Sequence, residues 1–232
     1  MKTLNKNENW RCERKFVVLD SSPEEVALLL KLNSLDFSEI YWARKINSLY
    51  FDSEDLDFYS QNAEGSPQKI KVRIRWYGED LPLAKNPKLE IKVKQGEVNK
   101  KISFPLPDFN LKDFLAVGSP ENEFEKYLRN CSLPDEYKIK VLLLKPSVIT
   151  SYWRRYFLSR NERFRATLDF DLESLLPRNL MRFLPWDSYQ NLILEIKYCP
   201  DYDLEARCFI SHLPFRLSKY SKYSLALREI FG

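Results

Sequence analysis

From residue 69 to residue 76 the chain alternates without a break. Lys69, Lys71, Arg73 and Arg75 fall on one side, and Ile70, Val72, Ile74 and Trp76 on the other. Successive side chains of a strand point to opposite faces, so this period of two predicts a strand with one apolar and one cationic face. The pattern recurs in other segments. Lys88, Glu90, Lys92 and Lys94 oppose Leu89, Ile91 and Val93; Arg163, Arg165, Thr167 and Asp169 share a face. Glu195 and Lys197 oppose Leu194 and Ile196, and Arg11, Glu13 and Lys15 alternate together near the start. Helical spacing is confined to short pieces. Ser22-Pro23-Glu24-Glu25 supplies an N-cap, a first-turn proline and a capping-box glutamate, and Val26, Leu29 and Leu30 carry an apolar face to about Leu32. Further short helices are predicted near residue 53 (Leu56 and Tyr59 inward), over 121–130 and 204–211, and from about 224 to 230. The proline-bearing stretches 81–87 and 105–107 read as hairpin loops or strand ends. Residues 1–10 are polar and predicted to form a flexible N-terminus, which leaves 11–232 as a single domain.

Composition narrows the classes. A chain of 232 residues, 44% hydrophobic and 30% charged, suits one globular α+β domain. Its purely aliphatic runs are short, as in Val141-Leu142-Leu143-Leu144, far below the ~18 residues of a membrane helix. The N-terminus lacks the apolar stretch of a secretory signal. The sequence therefore predicts no membrane segment and a cytoplasmic location. Cys12, Cys131, Cys199 and Cys208 are scattered with no C-x-x-C pair, which argues for reduced thiols over a zinc site or disulfide framework. The single histidine, His212, has no partner for a His-based nucleophilic mechanism. Net charge is only +4, so the placement of charge says more about partners than its sum.

Two arrangements accommodate such strands. One is an antiparallel sheet with its charged face in water. The other is a closed antiparallel barrel of about eight strands, with the charged faces inward and the apolar faces packed outward under helices. The like-charge run Lys71, Arg73, Arg75 favours the second, because it is repulsive unless something anionic sits against it. Glu13, Glu90 and Glu195 each stand one alternate position before a lysine: Lys15, Lys92 and Lys197. A dry interior of unpaired cations costs several kcal/mol per group. A linear polyanion carrying a divalent metal removes that cost: arginine offers a fork to phosphoryl oxygens, lysine a point charge, and a few carboxylates a seat for a hard cation. A nucleic-acid surface would instead need exposed aromatic platforms. Trp76, Tyr77, Trp153 and Tyr156 could be cast in that role, but Trp76 and Trp153 alternate with the basic faces and fit an outer core, so nucleic acid is not the expected partner.

The ordered pieces carry a resemblance. They are Arg11-x-Glu13-x-Lys15-Phe16, Ser48-Leu-Tyr-Phe-Asp52, Lys71-x-Arg73-x-Arg75-Trp-Tyr-Gly78, Leu89-Glu-Ile-Lys92 and Lys101-Ile-Ser-Phe104, followed by Tyr152-Trp-Arg154, Arg163-x-Arg165-x-x-Leu-Asp169, Leu194-Glu-Ile-Lys197 and Ser218-Lys-Tyr-Ser-Lys222. Together they resemble the VTC-type (vacuolar transporter chaperone) polyphosphate polymerase domain, a branch of the triphosphate tunnel metalloenzymes, from residue 11 to about 223. The resemblance implies a tunnel with basic walls that binds a nucleoside triphosphate and a growing polyphosphate. By this match Lys15, Arg73, Arg75, Lys92, Lys101, Arg154, Arg165, Lys219 and Lys222 would contact phosphate, with Ser221 donating a hydroxyl. Arg73, Arg75, Arg154, Arg165 and Lys222 would serve the transferred group, and Lys71, Lys94 and Lys197, on the same basic faces, would add to substrate binding. Glu195 would be the main ligand of Mn²⁺ or Mg²⁺, with Glu13 and Glu90 secondary. The implied reaction moves the γ-phosphate of ATP onto polyphosphate. One departure is Gln61 and Asn62, which stand after Tyr59 where the family tends to be basic. A triphosphatase of the same fold, acting on inorganic, thiamine or RNA triphosphate, has nearly the same residue inventory. A non-catalytic polyphosphate or inositol-phosphate module would keep the cations without needing the carboxylates. Lys222 is expected to be unpaired in the empty tunnel.

Overall fold

A computed structural model describes residues 11–64, 66, 68–96, 98–115, 123–131, 133–177, 184–185, 192–218 and 221–231. The expected flexible segment 1–10 and the candidate Lys219 lie outside the described residues. The strands are β1 (Arg11–Val18), β2 (Phe37–Asp52), β3 (Gln68–Tyr77), β4 (Leu83–Ala84), β5 (Lys88–Gln95), β6 (Val98–Pro105), β7 (Phe109–Asn110), β8 (Lys145–Ser159), β9 (Phe164–Leu175), β10 (Leu184–Pro185), β11 (Leu192–Tyr198) and β12 (Arg216–Leu217). The helices are α1 (Pro23–Leu32), α2 (Asp57–Ala63), α3 (Leu111–Phe114), α4 (Glu123–Asn130), α5 (Asp135–Leu142), α6 (Asp203–Ser211) and α7 (Lys222–Phe231).

The order β9-β11-β1-β6-β5-β3-β2-β8 is antiparallel throughout, and β8 pairs again with β9, closing an eight-stranded barrel. Closure leaves no free edge among these strands, which removes the usual edge liability. The wall is amphipathic as the alternation requires. Val72, Ile74, Trp76, Leu89 and Ile91 pack outward with Leu111 and Phe114 of α3, Leu128 of α4 and Val141 of α5. On another flank Phe16, Leu168, Leu194 and Ile196 join Val26 and Leu30 of α1 and Phe209 of α6. The α1 cap is the reciprocal Ser22–Glu25 box that its sequence announces.

Two local features set up the interior. Leu56 takes a left-handed φ of 57° before α2, and the buried Asp52 carboxylate accepts the amides of Phe58 and Tyr59, fixing that helix on the barrel wall. The Tyr223 hydroxyl of α7 donates to the same carboxylate. Tyr223, Ala226 and Leu227 then pack on Ile46, Tyr50, Val148, Tyr152 and Ile193. These wall positions alternate in phase with Arg154, so α7 covers part of the barrel's inner side. Among the described residues no helix is long and apolar enough to cross a membrane.

Leu89, fully buried between barrel and helices, offers a stability test of this arrangement. Leu89→Ala is expected to cost about 2–5 kcal/mol, the range for a large-to-small change in a packed core. A urea midpoint equal to wild type would mean that this face does not form the outer core.

Candidate active site: a basic tunnel

Strand alternation aims one face of β1, β2, β3, β5, β6, β8 and β11 at a cavity of about 470 Å³. Arg11, Glu13 and Lys15 enter from β1, Lys71, Arg73 and Arg75 from β3, Lys92 from β5 and Lys101 from β6. Arg154 enters from β8, Glu195 and Lys197 from β11, Lys222 from the start of α7 and Ser221 from the position just before it. Ten of the lining side chains are basic and two are acidic. The wall therefore keeps a large positive excess even when the nearby Glu90 and Asp169 are counted.

The carboxylates differ in how tightly they are held. Both oxygens of Glu13 accept from Lys92 Nζ at 2.7 Å. Glu90 accepts from Arg73 Nε at 2.9 Å, Arg73 Nη2 at 2.7 Å and Lys101 Nζ at 2.8 Å. Buried Asp169 takes a two-point contact from Arg154 and lies 2.5 Å from Lys222 Nζ. Glu195 is held loosely by comparison: Lys197 Nζ is 3.2 Å away, Lys15 Nζ 3.5 Å and Arg154 Nη2 4.0 Å.

Titration follows these partners. Burial pushes Glu195 up, but Lys15 and Lys197 outweigh it and hold the carboxyl well below its ordinary value. Burial likewise opposes ionisation of Asp169, and Arg154 with Lys222 brings it to about 2. Lys15 loses to burial and gains more from Glu195 and Glu13, ending above the ordinary lysine value. Lys71 has no such compensation: burial and then Lys15, Lys92, Lys69 and Arg73 all drive it well below the lysine range. Burial also brings Lys92 down, to about 8, despite Glu13.

The geometry corrects several expectations. Lys222 is not unpaired; it shares Asp169 with Arg154. Glu90 does not line the cavity, because Arg73 and Lys101 draw its carboxylate to the wall. Arg165 is exposed and lines a second cavity, which shares Arg11 and Lys197 with the tunnel, so it stands at a mouth and away from Arg73, Arg75 and Arg154. Lys94 sits in register with Lys69 and Asn99, one step past Lys92, and does not line the tunnel cavity. Gln61 lies on α2 and lines none of it.

The structure also adds residues that charge pattern alone did not single out. Tyr50 accepts a bond from Arg73 Nη1 at 3.1 Å and Tyr152 accepts one from Arg75 Nη2 at 3.0 Å, which aims both guanidinium groups. Lys71 Nζ donates to Ser221 Oγ at 2.6 Å. The signal for the tyrosines was present: Tyr50 alternates with Ser48 and Asp52, and Tyr152 with Arg154.

A proton linkage follows from Lys71 and Lys92. A bound polyanion stabilises their charged forms, so binding above the free-protein values must take up protons. Protons absorbed per tripolyphosphate bound, measured by calorimetry in two buffers of different ionisation enthalpy, are expected to rise from pH 7 to pH 9 and to shrink in Lys71→Met. No proton uptake at either pH would place the anion away from these lysines.

The model of the VTC domain family matches residues 10–231. A stretch of 144 residues is 30% identical to vacuolar transporter chaperone complex subunit 4 of Schizosaccharomyces pombe, covering 55% of this chain and 20% of that protein. The chain thus spans about a fifth of that relative's length. A solved Hippeastrum structure, HpAC1, for which a dominant triphosphatase activity is described, superposes with a TM-score of 0.55 at 12% identity, covering 95% of each chain. A Pyrococcus horikoshii protein superposes with a TM-score of 0.50 at 12% identity, covering 94% of this chain and 99% of its own. At that identity the two structures speak for a shared tunnel barrel and nothing finer. The family match takes in every wall strand and the helix that packs inside the barrel: the chain belongs to the VTC domain family.

Proposed function

We propose that this protein is a polyphosphate polymerase that transfers the γ-phosphoryl group of ATP to a polyphosphate chain held in the tunnel. The observation that carries the reading is the enclosed wall itself, ten basic side chains against two carboxylates around one cavity. Its volume, about 470 Å³, lies within the range of small-molecule sites. A nucleotide's phosphates and a slender polyanion offset this charge; a neutral ligand does not. Arg73, Arg75, Arg154 and Lys222 serve the transferred group. Lys15, Lys71, Lys92, Lys101 and Lys197 line the path of the flanking phosphates, and Ser221 donates its hydroxyl. Lys94 and Arg165 extend the path beyond the central cavity, and Lys219 is proposed as a further phosphate contact from the sequence motif alone.

The step needs little from the protein beyond position and charge. An oxygen of the acceptor's terminal phosphate attacks the γ-phosphorus. The bond to the β,γ-bridging oxygen breaks, and ADP leaves with that electron pair. The acceptor is already an anion, so no general base is required. The arginines and Lys222 are fixed before charge shifts onto the equatorial oxygens, and such preorganisation lowers the barrier.

A divalent ion, Mn²⁺ or Mg²⁺, fits one place in this wall. Glu195 faces the cavity, and its nearest cation is 3.2 Å away. Glu13, with both oxygens on Lys92, and Glu90, tied to Arg73 and Lys101, are more encumbered. No cluster of three metal-binding side chains occurs among the described residues. The ion would therefore complete its shell with phosphate oxygens and water, as Mg²⁺ commonly does. When bound, it neutralises phosphoryl oxygens. A cytoplasmic location would supply ATP, and nucleic acid is not proposed as a partner.

Incubation with ATP, Mn²⁺ and a short polyphosphate acceptor, followed by gel separation, tests the reading. Long polyphosphate is the expected product. Orthophosphate alone would replace the polymerase with a triphosphatase of the same fold. Bound polyphosphate with no turnover would leave a binding module.

A further inference from the structure

One strand step past the tunnel's arginines, the wall changes from cationic to aromatic. Tyr77 follows Arg75 at the next alternate position of β3, and Tyr156 follows Arg154 on β8. β2 sets Tyr41 opposite Tyr156 and Arg44 opposite Arg154. The Arg44 guanidinium lies 4.5 Å from the centre of the Tyr41 ring, 5.7 Å from Tyr156 and 5.9 Å from Tyr77. Tyr41 meets Tyr156 edge-on at 5.8 Å. No carboxylate among the described residues pairs with Arg44. Besides burial, the charges of Arg75 and Arg154 act on both the Tyr77 and Tyr156 phenols, so the cluster borders the tunnel.

Two features mark this cluster as more than wall. Register irregularities flank Tyr41 on β2. The bulged stretch leaves Trp42 92% exposed and Tyr41 51%, and Tyr77 at the end of β3 is 45% exposed. The Tyr156 hydroxyl is buried, with the Tyr77 hydroxyl as its polar neighbour. Exposed rings around a guanidinium suit a flat π-rich ligand. A cavity of about 430 Å³, lined by Glu39, Ile40, Tyr41, Trp42 and Arg44, opens on the same bulge.

We propose that Tyr41, Arg44, Tyr77 and Tyr156 form a seat for the nucleoside of a nucleoside triphosphate whose phosphates run into the tunnel, with Trp42 covering the outer face of the base. The inference rests on reading the tunnel as a triphosphate site. The spacing supports it. Two strand residues span ~6.6 Å, so phosphates gripped at Arg73, Arg75 and Arg154 bring the sugar to Tyr77 and Tyr156. The base then reaches Tyr41 and Arg44. There the Tyr156 hydroxyl meets a ribose hydroxyl, and the rings and guanidinium stack on the base without reading its edge. The seat separates nucleotides from bare inorganic phosphates, which the tunnel's cations alone cannot do.

Calorimetric binding of ATP and of inorganic tripolyphosphate to the full chain tests the seat. Tyr41→Ala is expected to weaken ATP about tenfold, within the range of a base–aromatic stack, and to leave tripolyphosphate within about twofold. Trp42→Ala, at a site with almost no packing to lose, is expected to show the same selective loss. Equal losses for both ligands, or none for ATP in either variant, would overturn the seat while leaving the tunnel reading in place. A wild-type protein that binds no tripolyphosphate would overturn the tunnel reading and the seat with it.

Discussion

Lys222→Ala is expected to slow polymer synthesis by about 100- to 1,000-fold, the loss typical of a preorganised donor aimed at developing charge. Lys222 opens α7, lines the cavity and lies 4.9 Å from the centre of the Tyr152 ring. Its ammonium is also 2.5 Å from Asp169, so the substitution removes a structural contact with a functional one. The structural part is the smaller. Asp169 keeps its two-point contact with Arg154 and is not left as a bare buried charge. The stability cost therefore falls below the ~3–5 kcal/mol of a buried pair stripped of one partner. Asp169→Asn separates the two effects, because it leaves Lys222 in place while depriving both cations of their carboxylate. It is expected to cost more stability than Lys222→Ala. Single-turnover synthesis and urea midpoints measure the two quantities. Full synthesis by Lys222→Ala would remove this lysine from the transfer step.

The alternation that placed Lys71, Arg73 and Arg75 on one face was legible because a strand's period of two fixes sidedness regardless of its neighbours. What the same alternation could not show was which cation each carboxylate would meet. Glu90 and Glu195 share a local pattern, each two residues before a lysine. Register separates them. Glu90 lies opposite Arg73, whose fork grips it. Glu195 lies opposite Lys15 and Thr167, with no guanidinium closer than 4.0 Å. Cross-strand register is a tertiary fact, so the difference between a wall carboxylate and a candidate metal ligand was hidden. The pairing of Lys222 with Asp169 was hidden for the same reason. Tyr77 and Tyr156 were legible as candidate aromatic platforms, but Tyr41 and Arg44 were not, because the irregularities around Tyr41 break the period there. Helix α5 gave little periodic signal: Val141 is fully buried, while the neighbouring Ile139 is exposed.

Glu195→Gln is expected to move metal-dependent turnover and metal-free binding in opposite directions. Turnover should fall by about 100-fold or more, since a bound ion supplies several kcal/mol of charge stabilisation and its least encumbered carboxylate is gone. Metal-free tripolyphosphate should bind more tightly. Lys15, Lys197 and Arg154 all face the Glu195 carboxylate, and the amide returns their charge to the anion. Stability gives an independent reading. The folded-state value of Glu195 is depressed, so its contribution is present above the ordinary carboxylate range and is lost only as pH falls through that depressed value. The variant should therefore melt below wild type at pH 7 and approach it in strong acid. Tripolyphosphate should narrow the neutral-pH gap, because an anion among the three cations replaces the lost carboxylate and stabilises the folded chain by mass action. Undiminished metal-dependent synthesis would place the ion elsewhere. Unchanged metal-free affinity would mean that Lys15, Lys197 and Arg154 already reach the phosphates with Glu195 ionised, and that this carboxylate sits outside the anion's field.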